Sequence, residues 1–239
     1  MIRFIFIVLF LIIYFTISLP IQLAELIIEK FNMDFRNKTS LAYVRFGFKC
    51  ACAISGVKVN VNGLENIPKD EAVLFVANHA SLFDIAVTYP LMARPTGFIA
   101  KKELKKIPVL SWLMYFVNCI FLDRKDPREG LKSVLHAADL IKSGVSIFLF
   151  PEGTRSKDGE LHEFKDGGMK IATKSQSPIV PVGIQGTAAA FENQFPRIRP
   201  SLVTVSFGKS IYTRDMSRAE QKNLSATVHD EVEKLMHSN

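Results

Sequence analysis

The chain has 239 residues, 48% of them hydrophobic and 22% charged, a balance that excludes intrinsic disorder and low-complexity repeats and suits one sizeable core. Thirty Lys and Arg against 23 Asp and Glu leave a net charge of +7, which favours an anionic partner such as phosphate, nucleic acid or an acidic membrane surface. Cys50, Cys52 and Cys119 form an odd set with no C-x-x-C pair and no histidine at metal-ligand spacing. Neither a disulfide framework nor a metal site is expected, and a reducing compartment is.

From Phe4 to Ala24 the chain carries no charged residue, enough at 1.5 Å rise per residue to cross roughly 30 Å of hydrocarbon. Pro20 falls inside this run, so a straight, a kinked and a re-entrant helix all remain open. The run is longer than a signal-peptide core and no A-x-A cleavage site follows it. Ser40 to Ile54 predicts a second helix, with Arg45 and Lys49 on one stripe and Leu41, Val44, Phe48 and Cys52 on the adjoining apolar face. Such a face suits a membrane interface or a protein core equally. The first sixty residues hold seven basic and three acidic residues, so the positive charge accompanies the apolar end. That location, without an aromatic-basic motif, argues against nucleic acid. Residues 1–55 therefore read as a membrane anchor and residues 56–239 as the folded body.

Beyond Gly56, short β-rich runs alternate with amphipathic helical patterns, the texture of an α/β layer structure. Strands are expected at Val73 to Ala77, Ile120 to Leu122, Ile147 to Phe150, Ile179 to Gly183 and Val203 to Phe207. Pro127 to Ser143 predicts a helix with Pro at its start and Gly144 at its end. Ser217 to Met236 predicts the terminal helix, opened by a Ser217/Glu220 capping box. The apolar segment around Trp112, with Leu110, Leu113, Met114 and Phe116, is consistent with an acyl groove, a lipid contact or a core helix.

The chemistry-bearing residues cluster where strands end. Asn78-His79-Ala80-Ser81-Leu82-Phe83-Asp84 follows the first of the expected strands. Ser81 and Asp84 form a helix-start signature, and Asp84 can reach back to the His79 imidazole, fix its tautomer and leave the other ring nitrogen as a base. Asp84 as a helix cap with His79 a bystander is the simpler alternative. Phe150-Pro151-Glu152-Gly153-Thr154-Arg155-Ser156 is a small-residue turn followed by a guanidinium: Gly153 admits a ligand close to the backbone, Thr154 offers a hydroxyl and Arg155 a planar fork for phosphate oxygens. Phe121-Leu122-Asp123-Arg124 puts a second arginine at a strand end, with a surface ion pair around Asp123 as the alternative. Lys165, beside Gly167 and Gly168, reads as a surface lysine, with help to an anion at a helix start as the alternative, and His136, His162, His229 and His237 read as solvated or packing histidines.

Taken together, N-H-x-x-x-x-D, F-L-D-R, F-P-E-G-T-R-S and Val180-Pro181-Val182, in this order, resemble the four blocks of the 1-acyl-glycerol-3-phosphate acyltransferase family. Ala100-Lys101-Lys102-Glu103-Leu104 and Ile107-Pro108 add to the likeness; Asn118, where the family often has Gly, departs from it. The resemblance implies a glycerolipid acyltransferase fold, a mostly parallel or mixed sheet flanked by helices behind an N-terminal membrane helix. It implies that His79 takes a proton from the free hydroxyl, sn-2, of lysophosphatidic acid as that oxygen attacks an acyl thioester, with Asp84 orienting His79. Arg124, Arg155 and the Glu152 to Thr154 turn would hold the acceptor phosphate, with Lys101 a further candidate; Glu152 would orient an arginine or meet an acceptor hydroxyl. Asn78, Val180 and Pro181 would support the site. No metal or cofactor is implied beyond a thioester of acyl-carrier protein or coenzyme A. The implied setting is the cytoplasmic face of a bacterial inner membrane. A hydrolase using the same His and Asp, an acyltransferase with another lysolipid or glycerol 3-phosphate as acceptor, and a non-catalytic membrane-binding protein are the competing readings. G-x-S-x-G is absent, and Cys119 in its apolar context reads as an inert thiol.

Overall fold

A computed structural model describes residues 1–123 and 126–237. Two long helices come first: α1 (Ile2–Ile28), which runs through Pro20, and α2 (Met33–Ser55), capped by the Asn32 side chain accepting from the Phe35 N–H at 2.9 Å. Then follow β1 (Val57–Asn62), β2 (Leu74–Ala77), α3 (Phe83–Thr88), β3 (Thr96–Lys101), α4 (Pro108–Phe116), β4 (Ile120–Leu122), α5 (Pro127–Lys142), β5 (Ser146–Leu149), α6 (Lys170–Ser175), β6 (Ile179–Gln185), β7 (Ser201–Phe207) and α7 (Arg218–His237).

The seven strands form one mixed sheet in the order β1-β7-β6-β2-β5-β3-β4, parallel throughout except where β6 meets β7. Side chains alternate across it. Phe75 and Ala77 of β2, with Phe98, Phe148, Val180 and Val182, pack under α2 and α3. Leu74 and Val76, with Ile147, Leu149 and Ile179, pack under α5, α6 and α7, where Leu224, Val228 and Val232 are almost wholly buried.

All five expected strands form, within a residue or two at each end. β1 and β3 escape the sequence pattern. β1 reads VKVNVN and borders the sheet with half its side chains in solvent. β3 carries Gly97, where a Cβ would collide with the Asn118 carbonyl oxygen; the glycine that weakens the strand signal admits that close backbone approach. The capping box is realised at α7, with Ser217 N–H donating to Glu220 Oε2 at 2.7 Å.

α2 is longer than expected, and its apolar face meets protein. Leu41, Val44 and Cys52 are buried in the same core as Phe75, and Phe48 stacks on Tyr89 at 5.3 Å. α1 packs on α2 through reciprocal bonds: Tyr14 Oη donates to the Tyr43 carbonyl at 3.2 Å, and Tyr43 Oη to the Tyr14 carbonyl at 2.9 Å. Its buried residues are polar, Ser18, Gln22 and Glu25, whereas Ile2, Ile5, Phe6, Leu9, Ile12 and Ile13 are exposed. α1 is thus inverted relative to a helix on a water-soluble surface.

Candidate active site

The C-terminal ends of parallel strands are where ligands gather in open α/β sheets. Here β2 delivers His79, its neighbour β5 delivers the Glu152–Arg155 turn, and β3 and β4 deliver Lys101 and Asp123. Arg124 lies outside the described residues.

His79 Nδ1 lies 2.8 Å from Asp84 Oδ2, with the Asp84 side chain fully buried and that of His79 16% exposed. The same Oδ2 accepts from the Ala80 and Ser81 N–H groups at 2.8 Å each, and backbone N–H groups can only donate. Asp84 is therefore an acceptor toward Nδ1, the proton is assigned to Nδ1, and Nε2 is left as the basic nitrogen. Helix start and imidazole share this carboxylate: it gathers the backbone N–H groups of the turn ahead of α3 and holds Nδ1. Its other oxygen, Oδ1, accepts from the hydroxyl of the buried Thr187 at 2.5 Å.

The imidazole is fixed from other sides as well. Its ring stacks on Phe150 at a centroid distance of 4.1 Å. The His79 N–H donates to Glu152 Oε1 at 2.7 Å, and the His79 carbonyl accepts from the Ser156 N–H at 2.8 Å. This departs from the role expected for Glu152, which engages no described arginine. Its carboxylate is buried, accepts from the His79 and His162 backbones, and so locks the two motifs together. Burial pushes its carboxyl above the usual carboxylate range, against the pull of those two donors.

Gly153 adopts φ +77°, and a Cβ there would lie 2.7 Å from Lys165 Nζ. Lys165, read from sequence as a surface lysine or an aid to an anion, thus brings its ammonium against the turn. Thr154 is exposed. Arg155 is 44% exposed and bonded at 2.9 Å to Glu192 Oε1. Glu192 also accepts from Ser81 Oγ at 2.5 Å and from the Leu82 N–H at 2.8 Å, joining the arginine to the start of α3. Lys101 is exposed at the end of β3, and Lys102 pairs with Asp123 at 2.8 Å. A cleft of about 360 Å³ beside Pro151 and Gly153, walled by Leu122, Val134 and Leu149, shares Phe150 with the histidine.

Asn78 is buried and pairs twice with the Ile184 backbone, both at 2.8 Å, extending β2 toward β6 with its side chain. Val180 and Pro181 lie inside β6, opposite Phe75 and Val76, and their side chains fall on opposite faces of the sheet. Thr187 and Glu192 escape sequence reasoning because neither sits in a motif; the loop after β6 brings them in from more than a hundred residues away.

A family model described as Acyltransferase matches residues 58–185, just over half the chain. A 1-acyl-sn-glycerol-3-phosphate acyltransferase of Chlamydomonas reinhardtii is 32% identical over 201 residues, 82% of this chain and 60% of the relative. The chain therefore spans about three fifths of that algal protein's length. The Borreliella burgdorferi protein of the same name is 29% identical over 199 residues, 83% of this chain and 80% of the relative. The crystal structure of the 1-acyl-sn-glycerophosphate acyltransferase of Thermotoga maritima superposes with a TM-score of 0.73 at 31% identity, covering 99% of each chain.

Proposed function

The chain belongs to the Acyltransferase family, and from that premise we propose that it moves a fatty acyl group from a thioester to the free sn-2 hydroxyl of 1-acyl-glycerol-3-phosphate, forming phosphatidic acid. The observation that carries this reading is the His79–Asp84 pair, with Nδ1 held by a carboxylate whose other partners are all donors. Nε2 of His79 takes the hydroxyl proton as the oxygen attacks the thioester carbonyl. The new C–O bond forms, the C–S bond breaks, and the imidazolium returns its proton to the departing thiolate. Asp84 stabilises the transient imidazolium without taking up the proton. No covalent acyl-enzyme or cofactor takes part, and the donor is a thioester of acyl-carrier protein or coenzyme A.

Arg155, with Arg124, Lys101 and the turn at Gly153 and Thr154, reads the acceptor phosphate; Lys165 Nζ adds positive charge beneath that turn. Glu192, which shares Arg155, holds the guanidinium in place before substrate arrives.

Within residues 1–55, α1 holds the body on a membrane and α2 ties it to the core beneath the sheet, and residues 56–239 carry the chemistry. α1 is long and apolar enough to cross a bilayer, and its polar-in, apolar-out arrangement suits hydrocarbon outside. The basic residues near α1 and the free cysteines suit the cytoplasmic face of a bacterial inner membrane. A lysolipid can then present its headgroup without its chain leaving the bilayer.

Purified protein incubated with acyl-carrier-protein and coenzyme A thioesters against lysophosphatidic acid, glycerol 3-phosphate and other lysolipids, with products identified by mass, tests the reading. Phosphatidic acid formed only when lysophosphatidic acid is present is the expected result. Thioester consumption independent of acceptor would make the protein a hydrolase.

A further inference from the structure

Pro108, Trp112 and Tyr115 recur at the i, i+4, i+7 spacing that places them on one stripe of α4. All three are exposed, Trp112 at 47% and Tyr115 at 52%, and Ile107 extends the stripe. Ser111, Leu113 and Phe116 of the same helix are buried. Gln22 Nε2 donates to the Val109 carbonyl at 3.3 Å, and Glu29, the C-cap of α1, accepts through Oε2 from Tyr115 Oη at 3.3 Å. The two helices therefore lie side by side and run in the same direction. At Tyr115 the exposed stripe of α4 meets the C-terminal end of α1, where Leu26, Ile27 and, in the turn that follows, Phe31 are exposed.

We propose that α4 is a second membrane-contacting element, which sets Trp112 and Tyr115 at headgroup depth and turns Lys105 and Lys106 toward the phosphates of an anionic bilayer. The proposal rests on the membrane-bound reading of α1. Continuity with α1 selects lipid as the occupant, because the medium that covers an inverted helix also reaches its neighbour. Trp and Tyr, each with an apolar ring and a polar handle, are the residues enriched at that depth. Lys105 and Lys106 are exposed and lie just ahead of the stripe, and such a basic pair is attracted to anionic headgroups. α4 also joins β3 to β4, so its contact with the bilayer holds the substrate-facing edge of the sheet at the membrane surface.

Trp112 is the sole tryptophan of the chain, so its fluorescence reports this helix alone. Full-length protein is transferred into vesicles of phosphatidylglycerol and phosphatidylcholine, with and without bromine on the acyl chains close to the headgroup, and sedimentation is measured on the same sample. Loss of Trp112 emission in the brominated vesicles, with protection from aqueous iodide, is expected. Protein that pellets while Trp112 is insensitive to bromine and quenched by iodide overturns the proposal and leaves α1 as the sole anchor. Protein that stays in the supernatant removes the reading of α1, and the proposal falls with it. A Lys105→Glu/Lys106→Glu variant should lose part of the bromine quenching in anionic vesicles and none in neutral ones. If it keeps full quenching but loses activity with acyl-carrier-protein thioester relative to coenzyme A thioester, the lysines dock an acidic protein and their assignment to lipid is wrong.

Discussion

Thr187 donates its hydroxyl to Asp84 Oδ1 at 2.5 Å across 103 residues of sequence, so both carboxylate oxygens behind His79 are occupied. Without this donor a fully buried oxygen would be left without its hydrogen-bond partner. Thr187→Val, nearly the same shape without the hydroxyl, is expected to destabilise the protein by about 1–3 kcal/mol and to lower kcat, whereas Thr187→Ser restores both. Thermal melts of the two variants check the first expectation, and initial rates the second.

His79→Ala removes the base while leaving the backbone bonds to Glu152 and Ser156 in place. Turnover is expected to fall by about 10²–10⁴ with the fold intact by circular dichroism. Retention of more than roughly a tenth of wild-type turnover, far above general-base loss, would assign the proton to another group.

Arg155→Ala should raise the acceptor KM roughly ten- to hundredfold, the equivalent of one charge-assisted bond, and leave the donor KM nearly unchanged. Equal impairment toward both substrates would remove Arg155 from phosphate recognition.

The raised carboxyl of Glu152 has a consequence for stability. A carboxyl whose folded affinity for protons exceeds its unfolded one binds more protons in the native state, so its contribution is present below the unfolded value, about pH 4.3, and is lost as pH rises through the folded value. Glu152→Gln, which can still accept from the His79 N–H, should flatten that decline in the window just above the ordinary glutamate range. Denaturant midpoints measured across that window test it; an unchanged slope would exclude Glu152 as its source.

Deleting residues 1–55 should cost the fold as well as the membrane. α2 places Leu41, Val44 and Cys52 in the core beneath the sheet, and loss of even one buried Leu commonly costs about 2–5 kcal/mol of a total near 5–15. The truncated protein is expected to melt far earlier or to aggregate; a cooperative melt at the full-length temperature would show that α2 is dispensable.

Much of the fold and of the chemistry was legible along the chain because its causes are local. The strands flanking the site are short apolar runs bounded by turn residues, the α7 capping box is a three-residue affair, and His79 and Asp84 sit five residues apart, near enough for one helix start to bring them together. The apolar face of α2 was legible too, but what covers it was not, since lipid and protein bury the same side chains for the same hydrophobic gain. Tertiary structure alone decided that Phe75 and its neighbours cover α2 while the polar side of α1 turns inward. It alone brought Thr187 to Asp84, Glu192 to Arg155 and Lys165 to Gly153. The first two of those contacts close long loops whose ends carry no mutual signal in sequence; the sheet order decides them, because β2, β5 and β6 are neighbours in space and far apart in the chain. The third is made within the loop after β5, whose folding back sets it.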